Sequence, residues 1–233
     1  MNMNEYRAGV REGLPVGLGY FSVSFGFGAL AATRGLRALD ATLISASNLT
    51  SAGQFAGLEV IVENSGLLLM ILTQIIINSR YALMSLALSQ RMGQRIGLIP
   101  RLCVAFINTD EVFALAMARK EALTVPFLYG LGLLPIIGWV GGTLLGALAG
   151  SILPASIGIA LGVMLYGMFI AIVVPPAKEE KPVAVAALLA LVFSCLFAWV
   201  PGLKDIPSGM PIVICTVAAA AICAALFPVE EEA

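Results

Sequence analysis

The chain has no histidine among its 233 residues. That removes the commonest metal ligand, the usual general base and the side chain best suited to titrate near neutrality. Charge is scarce too: 12% of residues are charged, against about 25% in a soluble domain. The net charge is −1 and there is no basic arm, which argues against a nucleic-acid partner. There is no phosphate-binding Gly-Lys-Ser/Thr loop, no zinc spacing, and no nucleophile paired with a histidine. The chain therefore does not read as an enzyme, needs no cofactor, and encodes nothing for ATP hydrolysis. Cys103, Cys195, Cys215 and Cys223 lie in apolar runs and read as small buried hydrophobes. Ahead of the first apolar run, Met1–Glu12 carries Arg7 and Arg11 without a small-residue cleavage site. It does not read as a cleaved signal peptide.

What the chain has is apolar surface. Hydrophobic residues make up 60% of it and the mean hydropathy is +0.98, so lipid must solvate much of the exterior. Apolar segments run over 13–33, 41–62, 65–89, 102–118, 125–149, 156–175, 182–200 and 209–227, each near the roughly 20 residues that cross a bilayer. The predicted fold is an all-α polytopic membrane protein with seven to eight hydrophobic segments, including discontinuous or re-entrant helices. Its parts are an N-terminal segment (1–12), one transmembrane domain (13–227) and an acidic tail (228–233).

Three segments are not plain helices. The second contains Ser45, Ser47, Asn48, Thr50, Ser51, Gly53 and Gln54; the fourth contains Asn108-Thr109-Asp110-Glu111; the first is studded with Gly13, Pro15, Gly17, Gly19, Gly26 and Gly28. Thr50 or Ser51 suits the N-cap of a half-helix starting at Gly53. Asn108 or Thr109 suits one starting at Asp110, with both acids in the first turn, where the helix dipole favours negative charge. Interrupted helices build the midplane sites of many transporters. The plainer alternative is ordinary helices whose small residues allow close approach. A weak echo links Gly13-Leu14-Pro15 and Gly28-Ala29-Leu30 with Gly132-Leu133-Leu134-Pro135 and Gly146-Ala147-Leu148, although glycine-rich apolar segments also match by chance.

Arg80, Asp110 and Glu111 stand inside apolar stretches, where each costs several kcal/mol unless paired or hydrated. Arg80 lies about 11 residues from Arg91, roughly 16 Å along a helix, too deep to snorkel out. Its partner should be Asp110 or Glu111, either as a static ion pair or as a gating and substrate-contact group. A guanidinium suits a substrate carboxylate, and an acid suits an ammonium group or a proton. Gln54 and Asn78 are uncharged polar residues that could line the same cavity, whereas Glu59 and Glu63 read as interfacial.

If every segment crosses, the loop with Arg91, Arg95 and Arg101 falls opposite the N-terminus. If the first and fourth segments dip in and return, nearly all cations share the N-terminal face, leaving Lys204 opposite. The positive-inside rule then makes that face cytoplasmic.

At these positions the chain resembles the AzlC-type permeases, the large subunits of branched-chain amino acid exporters. The resemblance rests on Gly13-Leu14-Pro15, Phe27-Gly28, Ala52-Gly53-Gln54-Phe55, Arg80-Tyr81, Thr109-Asp110-Glu111 with Phe113-Ala114, and Gly162-Val163-Met164-Leu165 with Phe169. Tyr81 stands where the family often has histidine. The resemblance implies export of leucine, isoleucine, valine and possibly methionine from a bacterial cytoplasm across the inner membrane, together with a small hydrophobic subunit. The candidate substrate or coupling residues are Gly53, Gln54, Phe55, Asn78, Arg80, Asp110 and Glu111. The competing reading is a membrane scaffold subunit whose charge pair only locks helices.

Overall fold

The computed structural model describes residues 2–92, 96–150, 170, 173–203, 206 and 209–228. Arg95, Lys204, the segment over 156–169, the Gly162–Phe169 motif and the tail beyond 228 lie outside the described residues. Among those described, the secondary structure is helical: α1 (Met3–Thr33), α2 (Ala38–Ser47), α3 (Ala52–Val62), α4 (Leu67–Arg91), α5 (Leu98–Ile107), α6 (Asp110–Ala118), α7 (Val125–Gly150), α8 (Lys181–Trp199) and α9 (Gly209–Leu226). Four of these (α1, α4, α7 and α8) are long and apolar enough to cross a membrane. The chain divides into two compact units, Met1–Gln54 with Asn78–Gly162, and Phe55–Ile77 with Val163–Ala233.

The first unit is organised by α1 and α7. Asn2 caps α1 by accepting from the Asn4 N–H at 3.1 Å. At the other end, Gly35 adopts φ +92, and the Leu36 N–H returns to the Ala31 carbonyl at 3.0 Å. That closing turn needs a left-handed residue, hence the glycine. Between these ends α1 is one uninterrupted helix of 31 residues, about 46 Å long. Of the two arrangements open to the first segment, crossing fully or dipping in and returning, the unbroken helix fits the crossing. Its glycines do not break the helix. A Cβ at Gly17 would lie 2.7 Å from the Leu134 carbonyl oxygen, and one at Gly28 would lie 2.7 Å from the Ala147 nitrogen. The partner helix is equally bare: Gly130 meets Tyr6, Gly138 meets Gly17, and Gly146 meets Phe25. Contacts advance together along both helices, so α1 and α7 run parallel, backbone against backbone.

Helices α5 and α6 form a short hairpin against α4. Arg101, near the start of α5, donates to the Ser89 carbonyl at 3.1 Å and to the Ser89 hydroxyl. Arg91, the last residue of α4, donates to the Met117 and Arg119 carbonyls at the end of α6. Both outer ends of the pair therefore lie at the C-terminal end of α4, and the tip points back along it. Leu88, Met92, Val104, Val112, Ala116, Phe127 and Leu131 form the apolar core that holds the hairpin to α4 and α7. Arg119 is nearly buried, with its guanidinium 3.6 Å above the Phe127 ring and 2.8 Å from Glu5. The beginnings of α1 and α7 thus share an end of the unit with the close of α4 and α6.

In the second unit, Gly57 of α3 stands beside Met70 and Gln74 of α4. The Cys223 thiol, late in α9, approaches the Pro182 carbonyl at the start of α8 at 3.9 Å, so α8 and α9 pack antiparallel. No residue of α8 is buried.

Candidate functional site

The hairpin tip is Asn108-Thr109, two non-helical residues between α5 and α6. Thr109 occupies the N-cap position with extended backbone but makes no side-chain cap bond. Asn108 is buried and donates from Nδ2 to the Ser85 hydroxyl of α4 at 3.2 Å. This pins the tip so that Asp110 and Glu111 open α6 at the level of Arg80.

Arg80 Nη1 stands 2.6 Å from Asp110 Oδ2, with both side chains about two-fifths exposed. The pairing expected from the sequence is present. Arg80 also donates from Nη2 to the Tyr81 hydroxyl at 3.3 Å, and its guanidinium lies 4.9 Å from the centre of that ring. Glu111 has a different partner. Its Oε2 accepts a hydrogen bond from the Tyr20 hydroxyl of α1.

Tyr20 in turn packs edge-to-face on Trp139 of α7, ring centres 5.2 Å apart. The Trp139 indole N–H donates to Gln54 Oε1 at 2.6 Å. Gln54 Nε2 donates to Ser45 Oγ at 2.8 Å, and Ser45 and Thr143 share a hydroxyl–hydroxyl bond of 2.7 Å. Ser45, Gln54, Trp139 and Thr143 are all buried. Such a satisfied polar network rigidifies its surroundings. It runs from the junction of α2 and α3 through α7 to Tyr20, and so to the tip of α5–α6.

Of the sequence candidates, Arg80, Asp110 and Glu111 are brought together. Gln54 joins them through Trp139, its side chain already occupied by Ser45 and Trp139. Gly53 closes the turn before α3, its N–H donating to the Thr50 carbonyl at 2.9 Å. Asn78 is half-buried two residues before Arg80, and Phe55, half-buried, belongs to the second unit. The sequence reading missed Tyr20, Trp139 and Thr143, and it placed Ser45 in the polar break of the second segment without a partner. One signal was available, since an indole N–H inside an apolar helix must find an acceptor.

A family model described as AzlC protein matches residues 15–153, the stretch that contains Tyr20, Gln54, Arg80, Asp110, Glu111 and Trp139. An uncharacterized membrane protein of Archaeoglobus fulgidus is 35% identical over 175 residues, 74% of this chain and 76% of that protein. Inner membrane protein YgaZ of Escherichia coli is 29% identical over 192 residues, 79% of this chain and 78% of that protein. An uncharacterized membrane protein of Helicobacter pylori is 27% identical over 156 residues, 64% of this chain and 68% of that protein. No solved structure matches.

Proposed function

Because the chain belongs to the AzlC family of membrane proteins, we propose that it is a secondary transporter. It exports small hydrophobic amino acids from the cytoplasm: leucine, isoleucine, valine and methionine. The observation that carries this reading is the charge cluster at the hairpin tip, where Arg80 meets Asp110 and Tyr20 meets Glu111. Two carboxylates share one guanidinium and two phenols inside an apolar chain, and ionisable groups held at such depth mark solute and proton paths.

In this reading α5 and α6 are a re-entrant hairpin that enters from the side of the N-terminus. Arg7, Arg11, Arg91, Arg101, Arg119 and Lys120 gather on that side. Arg34 and Arg37 sit past the far end of α1, and Arg37 is neutralised by Asp40 at 2.7 Å. The charge bias makes the N-terminal side cytoplasmic and the membrane the bacterial inner membrane. Solute binds at the tip, and its release leaves a net negative site that a proton fills on the return step. Discrimination among branched side chains is worth only about 1–3 kcal/mol per methylene, so specificity is broad. A small hydrophobic membrane subunit completes the exporter, and the unburied, charge-poor faces of α8 and α9 suit it.

The test is efflux of labelled leucine, isoleucine, valine and methionine from vesicles, with and without a candidate small subunit. Asp110→Asn should fold and lose most export. The closeness of the Arg80–Asp110 pair favours one other reading, a scaffold whose charges only lock helices. Absence of export by the wild-type chain together with its small subunit would establish it, whereas wild-type export by a folded Asp110→Asn variant would take Asp110 out of the site.

A further inference from the structure

Resting on the reading of this cluster as a solute site, we propose that it selects its solute by the ammonium end. Glu111 binds that group, and Tyr20 positions Glu111. The division of labour between the two carboxylates carries the argument. Arg80 is engaged on two sides, by Asp110 at 2.6 Å and by the Tyr81 hydroxyl at 3.3 Å. A solute carboxylate would have to displace a carboxylate that is covalently tethered beside the guanidinium, and so always present at high effective concentration.

Glu111 is placed the other way. It accepts from the Tyr20 hydroxyl and, among the described residues, stands in no ion pair. The start of α6 contributes only about half a positive charge. With Arg80, that leaves two carboxylates under-compensated in an apolar setting. A primary ammonium supplies the missing charge and three N–H donors. The phenol does not need to be ordered on binding. Trp139 packs against it, and the bonds through Gln54, Ser45 and Thr143 fix Trp139. The acceptor is therefore pre-organised, and the solute class is primary amines with a branched or straight apolar tail, whether or not they carry a carboxylate.

The test uses the full chain in detergent with two probes that split leucine's two ends. These are 3-methylbutylamine, which has the ammonium alone, and 4-methylpentanoate, which has the carboxylate alone. Calorimetric titration should show the amine binding and the acid not binding. Glu111→Gln should weaken the amine by about tenfold or more, the range for hydrogen bonds to charged groups. Tyr20→Phe should weaken it by roughly threefold in a protein that still unfolds cooperatively. Acid binding tighter than amine, absence of amine binding, or unchanged amine affinity in a folded Glu111→Gln variant would each overturn the proposal. The wild-type comparison is decisive even where a variant does not fold. Because binding is read without transport, failure of amino acid efflux in vesicles sinks the exporter reading separately.

Discussion

Helices α7 and α8 are both apolar enough to span a bilayer, yet half of the most apolar stretch of α7 is buried within the protein and none of that of α8 is. Hydrophobicity does not separate them. Glycine spacing does. α7 carries Gly130, Gly138, Gly142 and Gly146 at the points where α1 touches it, whereas α8 contains no glycine. In lipid, apolar side chains gain little by leaving solvent, so close backbone approach decides which helices pair. The α1–α7 pair becomes the rigid frame on which Tyr20, Trp139 and Thr143 are mounted. α8 packs on α9 yet has none of its residues buried.

The comparison is broken most severely by filling the glycine seam. Gly28→Leu should drive a side chain into the Thr143 and Ala147 backbone and cost about 3 kcal/mol or more, read as loss of monodisperse protein in detergent. Leu191→Ala on the exposed face of α8 should change stability by less than about 0.5 kcal/mol. Similar losses from both would remove the distinction between frame and free surface.

A second contrast lies between two ion pairs. Arg80→Ala strips Asp110 of its partner inside the cluster and should lower export by roughly a hundredfold, as misplaced site groups do. Arg37→Ala removes a solvent-exposed pair with Asp40 and should leave export at the wild-type rate. Equal effects in the efflux assay would make the tip pair no more special than the surface one.

A smaller effect is expected where the hairpin is anchored. Glu5→Gln should destabilise by about 1–2 kcal/mol, because it uncouples a nearly buried Arg119 from the start of α1. Thermal unfolding checks this, with Glu121→Gln, at the exposed side of the same guanidinium, as the near-neutral control.

Much of the site was legible in the sequence, because rare residues in an apolar chain have few partners to choose from. Arg80 needed a carboxylate, and only Asp110 and Glu111 were at hand. The polar run Asn108–Glu111 likewise announced where a helix stops and restarts. The first segment left two readings open for a physical reason: glycine serves both breaks and close packing, and a single chain does not say which. The echo between Gly13-Leu14-Pro15 and Gly132–Pro135 coincides with the parallel α1–α7 pair, though it was too short to read alone. Tyr20 with Glu111, and Glu5 with Arg119, are contacts between residues far apart in the chain. No periodicity or spacing encodes them.

The claim on which the account rests is that α5 and α6 enter and leave on one side, carrying Asp110 and Glu111 to Arg80. Side-specific thiol labelling in intact cells tests it directly, with single cysteines at Ile99, Lys120, Arg11 and Leu36 in a background lacking the four native ones. The account predicts that Ile99→Cys, Lys120→Cys and Arg11→Cys label only from the cytoplasmic side, and Leu36→Cys only from the other. Labelling of Ile99→Cys and Lys120→Cys from opposite sides would show a crossing segment and contradict it.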